Sequence, residues 1–371
     1  LPKFNVKQNT SKNKVKHKIA IIGGGIMGVS TAYNLLKHEK NICLIDRLQP
    51  NSQASGSNAG SLHVQLLSYD FDPNNLTQLD NMKTLLKLQK KAVSEWKDIE
   101  EETKSNFEIS YDGGLMFAEN EKDLEKLNMK IEVEQSVGVN SQLINQDQIQ
   151  KINPLFSDKM IYAGYCPSEG KINPLKATNS IFENCKENGL NDYCDDLIQA
   201  IEKKSGKFTI ITDNHEIEVD KIVNCAGSWA NNIASFLDLP LKVKSVPQQM
   251  IVTEALEYKL KLLVAHIGRH LTLKQATNGN FIIGGGWTAN YSKNTDHLHA
   301  LKDSFEGNTW VAKRVIPSLS NVNILRSWAA MSVDVGGYPL MGEHPLMKDF
   351  YTLVSSNGYK STITISNSGI S

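Results

Sequence analysis

The 371-residue chain has no long uninterrupted apolar segment. Its longest apolar runs have the length of a strand, as at residues 19–22, whereas a helix needs about 20 apolar residues to cross the hydrocarbon core of a bilayer. The sequence therefore predicts no transmembrane helix. We expect a cytoplasmic protein, and peripheral attachment to a membrane stays open.

The chain also has few cysteines and no excess of either charge. The five cysteines are dispersed and form no CxxC pair, which argues against a disulfide framework and against structural zinc, so no metal is expected. The 40 basic side chains are balanced by 40 acidic ones, so the molecule has no net field that would attract a polyanion. Nucleic acid is therefore not an expected partner.

Acidic residues are missing from the start of the chain. No acid precedes Glu39, and seven of the first eighteen residues are basic when His17 is counted. We interpret residues 1–17 as a basic disordered tail, with the remains of a targeting segment as the alternative. The first ordered element is then expected at residues 18–22, because a continuous apolar run is typical of a parallel strand covered on both faces.

A glycine-rich turn follows this strand. Residues 23–28 read Gly-Gly-Gly-Ile-Met-Gly and satisfy G-x-G-x-x-G. In this fingerprint the first glycine permits a tight turn, the second lets the backbone approach a pyrophosphate, and the third lets helix and strand pack closely. Helical spacing continues to Lys37, and the next apolar strand ends at Asp46, where a carboxylate can accept hydrogen bonds from ribose hydroxyls. The unit predicts a dinucleotide site and does not separate FAD from NAD.

Four further blocks, in this order along the chain, carry a resemblance to a known family. They are residues 55–63 (SGSNAGSLH), 169–174 (EGKINP), 223–229 (VNCAGSW), and the last block, 326–329 (RSWA) with 337–342 (GYPLMG). With them the chain resembles the FAD-dependent D-amino acid oxidase superfamily, in the branch of glycine oxidase, sarcosine oxidase and the opine oxidase subunits. The resemblance covers nearly all of the chain and implies FAD as the cofactor.

The resemblance and the strand pattern together predict the fold. Residues 243–286 alternate strand-like segments with turns, including Asn278-Gly279, and a hairpin is expected at residues 107–118. We predict an α/β fold in which a Rossmann-type, glutathione-reductase-like FAD-binding domain is interleaved with an antiparallel β-rich substrate domain. Residues 18–90, 155–235 and 321–371 are assigned to the FAD-binding domain, and residues 91–154 and 236–320 to the substrate domain.

The resemblance also implies which residues contact FAD. The small-residue loop after the second strand is expected beside the flavin, because bulk is excluded where the ring must fit. The expected contacts are Gly23, Gly25, Ile26, Met27, Gly28, Asp46, Arg47, Ser57, Asn58, Ala59, Gly60, Leu62, Leu197, Ala226, Gly227, Trp229, Asn357 and Gly358. For Trp229 a position in the core is an equal alternative. Attachment is expected to be non-covalent, since no cysteine follows Cys225 and Asn58 replaces the linking histidine of some relatives.

No catalytic side chain is assigned, because hydride transfer from a substrate Cα to flavin N5 needs no protein base in this family. Relatives that bind simple amino acids often carry an arginine shortly after the Trp-Ala segment, whereas this chain has Ser332 there. That departure implies a bulkier or differently held substrate. His63, His270 and Ser332 are the substrate-facing candidates. Arg269 and Lys274 join His270 as candidates to replace the arginine, and surface or structural roles are the alternative for each.

The combined prediction is an FAD-dependent oxidoreductase that oxidises the C–N bond of an amino acid, an N-substituted amino acid or an opine, giving an imine that hydrolyses. Its expected partners are this small amine substrate, oxygen or a quinone-linked electron acceptor, and a partner subunit if the chain is part of a hetero-oligomer. Two alternatives stay open: an NAD-dependent dehydrogenase, and an FAD-binding subunit without independent turnover.

Overall fold

The computed structural model describes residues 12–67, 71, 75–292, 297–336 and 339–355. In those ranges the helices are α1 (Ile26–Leu35), α2 (Leu76–Glu102), α3 (Glu121–Ser136), α4 (Gln146–Ile152), α5 (Pro174–Glu187), α6 (Ala230–Ser235) and α7 (Lys302–Val315). The strands in the first half are β1 (Asn13–Ile22), β2 (Ile42–Ile45), β3 (Ser61–Leu62), β4 (Gly114–Ala118), β5 (Gln142–Asn145), β6 (Tyr162–Cys166) and β7 (Gly170–Lys171). Those that follow are β8 (Asn191–Tyr193), β9 (Ile198–Lys204), β10 (Lys207–Thr212), β11 (His215–Asn224), β12 (Lys244–Ala255), β13 (Leu263–His266), β14 (Thr272–Gln275), β15 (Asn280–Gly284), β16 (Ala289–Ser292), β17 (His297–Ala300), β18 (Ile324–Asp334), β19 (Leu340–His344) and β20 (Met347–Val354).

The first sheet has the order β19-β20-β11-β1-β2-β8, and β10 and β9 extend from β11. Strand β1 is parallel to β2 and β11, and its Ile22 lies opposite Ile45 and Asn224. Successive side chains of β1 enter opposite cores: Ile21 packs in the cluster of α1 and α5, and Ile22 in the cluster of β9 to β11. Each such burial stabilises by roughly 1.5–3 kcal/mol. Because three parallel strands end in register, the residues that follow them meet at one edge of the sheet.

The second sheet has the order β18-β12-β15-β14-β13-β4-β6-β5 and is antiparallel except where β13 meets β4. A short ladder places Ser61 of β3 opposite Lys171 of β7. The predicted hairpin around Asn278-Gly279 is confirmed, since β14 and β15 pair across this turn. A Rossmann-type parallel sheet beside an antiparallel sheet confirms the predicted fold class. Among the helices of the described ranges, none combines the length and the apolar character that spanning a membrane requires.

The predicted start of the first strand is wrong. The sequence pattern places residues 13–17 in a disordered tail, but β1 begins at Asn13 and pairs with β11 along this stretch. Lys14 forms an ion pair with Glu216 at 2.9 Å, and Lys16 one with Glu218 at 3.2 Å. The basic side chains therefore face acidic partners on the neighbouring strand, which a count of local charge does not show.

Two further expectations also differ from the structure. The hairpin at residues 107–118 is wrong, because β4 pairs with β6 and β13, while Ser110 forms an isolated bridge with Lys171. Strands β6 and β18 belong to the second sheet, although their residues fall in the ranges assigned to the FAD-binding domain. For β18 the reason is its long pairing with β12, from Lys244 opposite Asp334 to Thr253 opposite Ile324. The sheet to which a strand belongs is therefore set by the strand it pairs with and not by its position in the chain.

Candidate functional site

A cleft lies at the carboxyl edge of the first sheet, where β1 ends in the glycine turn. Gly23 has a φ of +112°, a conformation that favours glycine, and a Cβ there would lie 2.6 Å from the Cys225 carbonyl oxygen. A Cβ on Gly28 would lie 1.8 Å from the Gly23 carbonyl oxygen. The turn and the helix start can therefore approach the strand closely only because both positions lack a side chain.

The backbone amides of this turn are held by two polar side chains. The Gly24 amide donates to Asp46 Oδ2 at 2.6 Å, and the Leu48 amide donates to Oδ1 at 2.9 Å. Burial raises the pKa of Asp46, against the opposing effect of these two amides. The first amide of α1, that of Ile26, donates to Ser55 Oγ at 2.9 Å. Asp46 thus lies at the strand end in contact with the glycine turn, as the dinucleotide fingerprint predicts.

The cleft has a volume of about 270 Å³ and a mostly apolar wall. Leu197, Trp229 and Phe236 line it, and the Arg47 guanidinium lies 4.3 Å from the centre of a Trp229 ring. Apolar and aromatic side chains suit a purine base, a glycine turn at a helix start suits phosphates, and a strand-end carboxylate suits a ribose. The residues present therefore fit a bound dinucleotide.

A second cavity, of about 620 Å³, lies on the other side of the loop that follows β2. Residues 53–55 of this loop line the cleft, and residues 56–59 line the second cavity. The opposite wall comes from β14, β15 and β18, and it includes Lys274, Arg326 and Trp328. Trp328 Nε1 donates to the Ser57 carbonyl oxygen at 2.9 Å, which attaches β18 to the loop. One stretch of backbone therefore lies between the cleft beside the glycine turn and a cavity with a cationic wall.

The family model described as FAD dependent oxidoreductase matches residues 18–366 of the chain. The chain belongs to this family. FAD is therefore the cofactor, and the protein is a member of the FAD-dependent oxidoreductases. This decides between the two cofactors that the glycine motif and Asp46 left open, and the NAD-dependent alternative is wrong.

Individual relatives of this FAD-dependent oxidoreductase are distant. The chain is 25% identical over 277 residues to glycerol 3-phosphate dehydrogenase of Caloramator mitchellensis, covering 72% of this chain but only 54% of that relative. It is 24% identical over 332 residues to an opine oxidase subunit of Rhizobium meliloti, covering 87% of this chain and 84% of the relative. L-proline dehydrogenase of P. horikoshii has the same fold, with a TM-score of 0.82 at 22% identity, covering 95% of this chain and 91% of that one.

The predicted FAD contacts fall into three groups in the structure. Those that line the cleft are Gly23, Gly25, Ile26, Met27, Asp46, Arg47, Leu197, Ala226, Gly227 and Trp229. Ser57, Asn58 and Ala59 line the second cavity instead. Gly28 packs against the Gly23 carbonyl, Gly60 accepts a hydrogen bond from the Ile172 amide at 2.9 Å, and Leu62 is fully buried. Asn357 and Gly358 lie outside the described residues.

The substrate-facing candidates are not brought together. His63 is buried with its Nδ1 3.3 Å from Glu169 Oε1, and it lines neither of the two cavities. Glu169 also accepts from the Gln65 amide at 3.0 Å; burial acts to raise its pKa, but His63 and this amide hold the pKa below its usual value. His270 packs its ring against Trp287, away from both cavities. His63 therefore belongs to a buried hydrogen-bond network, which agrees with a structural role and not with the substrate-facing role considered for it.

Two other candidates also lie outside the cavities. Ser332 is buried on β18, and its carbonyl oxygen accepts from Ser228 Oγ at 2.9 Å. The Arg269 guanidinium is bound to Glu119 at 3.2 Å. Lys274, the remaining candidate to replace the missing arginine, does line the second cavity. Of these three side chains, Lys274 alone is placed to meet a ligand there.

Sequence reasoning missed three residues that matter for the two cavities. Ser55 reaches across to the start of α1, and Lys171 and Arg326 line the second cavity. All three stand inside the blocks that carry the family resemblance. Each of the three is a polar or charged residue within its block, but the direction of its side chain depends on pairings between strands that are distant in the chain.

Proposed function

We propose that this FAD-dependent oxidoreductase oxidises the C–N bond of an amino acid or an N-substituted amino acid, opines included. One observation carries the proposal: the loop at residues 53–59 separates the FAD cleft from a cavity whose wall includes Lys171, Lys274 and Arg326. A cationic wall suits a substrate carboxylate. The names of two relatives, an opine oxidase subunit and an L-proline dehydrogenase, agree with this class of substrate.

The proposed reaction removes two electrons from the substrate. When bound, FAD supplies the acceptor, taking a hydride from the substrate Cα at its N5 atom. The neutral amine nitrogen contributes its lone pair to form the C=N bond of an iminium, which loses one N–H proton to give the imine or stays an iminium. Water adds to this bond, and the products are a carbonyl compound and an amine. Oxygen or a quinone-linked acceptor then takes the two electrons.

The side chains of the second cavity have positioning tasks in this proposal. The Arg326 cation holds the carboxylate, and the Trp328 indole limits where the remaining substrate can lie. Arg326 lies over Trp328, with 5.1 Å between its guanidinium and the ring centre, which favours this orientation of the guanidinium. No side chain of the chain is required as a base, because the substrate can enter as the neutral amine.

Anaerobic mixing of the FAD-loaded protein with candidate amines tests the proposal. Loss of the oxidised flavin absorbance is expected with at least one class among amino acids, N-methyl amino acids and opines, and no bleaching is expected with the matching alcohols. Acid precipitation is expected to release FAD into solution, as non-covalent attachment requires. Folded, FAD-loaded protein that no amine reduces would contradict the proposal.

A second candidate function is that of an FAD-binding subunit that turns over only with a partner. The observation that favours it is the name of the Rhizobium meliloti relative, a subunit of an oxidase, which aligns over most of both chains. Here bleaching would appear only after a partner subunit is added. Reduction of the isolated chain by an amine excludes this candidate.

A further inference from the structure

The second cavity contains two buried lysines for which the described part of the chain provides no acidic partner. Lys171 is only 7% exposed, and Lys274 is only 5% exposed. Lys171 Nζ donates to the Tyr258 hydroxyl at 2.9 Å, and Lys274 Nζ donates to the Gly60 carbonyl oxygen at 3.3 Å. Each has one further backbone carbonyl as acceptor, and neither forms an ion pair within the described ranges.

Their electrostatic situation is unfavourable in the absence of an anion. Burial lowers the pKa of Lys274 to about 7, and the charge of Lys171 acts in the same direction. Burial also lowers the pKa of Lys171 to about 8, against the attraction of Asp112. Two like charges that share one buried cavity stabilise the fold only when an opposite charge is supplied.

Glu108 attracts Lys274 and Asp112 attracts Lys171, but neither acid forms an ion pair with these lysines among the described residues. Glu108 lines the cavity, but its Oε1 lies 2.5 Å from Lys176 Nζ, and Asn173 donates to its other oxygen at 2.9 Å. With Arg326 in the same wall, the described residues that line the cavity include three cations and one carboxylate, and that carboxylate already forms an ion pair with Lys176.

We propose that Lys171 and Lys274 form a subsite for a second acidic group, so that the substrate is a secondary amine with a carboxylate on each nitrogen substituent. This inference rests on the proposed C–N oxidation. Arg326, exposed at the cavity wall, holds the first carboxylate, and the lysine pair holds the second. Oxidation at one arm then releases a 2-oxo acid and leaves the other arm as an amino acid.

Calorimetric titration of the FAD-loaded protein with unreactive ligands tests the subsite independently of turnover. Oxydiacetate has two carboxylates about an ether oxygen, and methoxyacetate has one. We expect oxydiacetate to bind at least about tenfold more tightly at pH 6.5, since each further charge-assisted hydrogen bond adds affinity. The preference is expected to weaken as the pH rises through 8 and 9, because the lysines then bind the anion only at the cost of taking up a proton.

Substitutions test which residues cause the preference for oxydiacetate. Lys274→Met and Lys171→Met are each expected to reduce the preference to about twofold or less, whereas Lys274→Arg keeps it. Lys40→Met, at an exposed lysine that lines neither of these two cavities, keeps it as well. FAD content and melting temperature verify that each variant is folded, and the wild-type comparison of the two ligands is decisive by itself.

The outcomes separate this inference from the proposed function. Equal affinity for the two ligands, with amines still bleaching the flavin, overturns the subsite and leaves the oxidation. A clear preference for oxydiacetate that persists in Lys274→Met and Lys171→Met also overturns it. Tighter binding of glycerol 3-phosphate than of oxydiacetate overturns the dicarboxylate class. If the protein prefers oxydiacetate but no amine reduces its flavin, the subsite is supported and only the proposed function is contradicted.

Discussion

Two lysines in this protein are about equally buried and have opposite surroundings. Lys130 on α3 is fully buried, and its Nζ lies 2.7 Å from Glu134 and 3.1 Å from Gln65 Oε1. Lys274 on β14 is 5% exposed and reaches only backbone carbonyl oxygens in the described residues. The Lys130 ammonium has its counter-charge in Glu134, whereas the Lys274 ammonium has no ion-pair partner among the residues that the structure describes. Burial of a charge therefore does not by itself indicate a functional site, whereas burial without a counter-charge does.

Removing the paired lysine should have the largest effect. In Lys130→Met the Glu134 carboxylate would stay buried without a cation, and breaking such a pair costs about 3–5 kcal/mol. The free energy of unfolding, measured by urea titration, is expected to fall by that amount. Lys40→Met serves as the control and is expected to stay within about 0.5 kcal/mol of the wild type. A loss below about 1 kcal/mol in Lys130→Met would remove the basis of the comparison.

A second paired charge should give an intermediate effect. Glu119 is bound by Arg314 at 2.7 Å and by Arg269 at 3.2 Å. Burial acts to raise its pKa, but these hydrogen bonds dominate and lower the pKa to about 2. Glu119→Gln is expected to reduce stability at pH 7 by about 1.5–3 kcal/mol, the usual range for hydrogen bonds to a charged group.

Acid unfolding provides the independent test of Glu119. A carboxyl group with a lowered folded pKa stabilises the protein above its unfolded pKa, near 4.5, and this contribution disappears as the pH falls toward 2. The difference between wild type and Glu119→Gln should therefore shrink over that window. A difference that stays constant from pH 5 to pH 2.5 would show that the loss is not electrostatic.

The unpaired lysine should give the smallest effect and the opposite sign. Lys274→Met is expected to raise the free energy of unfolding by about 1 kcal/mol at pH 6, because an ammonium without a counter-charge is replaced by an apolar chain of similar length. A lysine whose folded pKa is near 7 and whose unfolded pKa is near 10.5 destabilises the fold most below pH 7, and this penalty is relieved as the pH rises from 7 toward 10, because the unfolded chain binds the extra proton less and less favourably there. The gain from Lys274→Met should therefore be largest below pH 7 and should decrease between pH 7 and pH 10. Destabilisation at pH 6 would mean that Lys274 is an ordinary structural residue.

The FAD cleft was predictable because its parts are close in the chain. A buried strand, a glycine turn, a helix and Asp46 follow one another, and the physical task of each glycine is set by its neighbours. The Gly28 position has no room for a side chain, as the motif requires. The same local reasoning identified the hairpin of β14 and β15 from its Asn-Gly turn.

The second cavity was not predictable because its parts are far apart in the chain. Lys171 and Lys274 meet only because β7 and β14 come from different sheets that pack against one loop. The same limitation hid the true start of β1, whose Lys14 finds Glu216 across 202 residues. Patterns within one segment indicate which face is apolar, but they do not indicate which distant strand supplies the partner of a charge.

The loop between the two compartments has a practical consequence for protein engineering. Residues 53–55 line the cleft that we assign to FAD, residues 56–59 line the proposed substrate cavity, and Trp328 hydrogen-bonds to Ser57 in the middle of the loop. Any bulk introduced there would disturb both ligands at once. Attempts to change the substrate specificity should therefore leave this loop unchanged. They should begin on the opposite wall of the second cavity, at positions of β14 and β18 that do not line the first cleft.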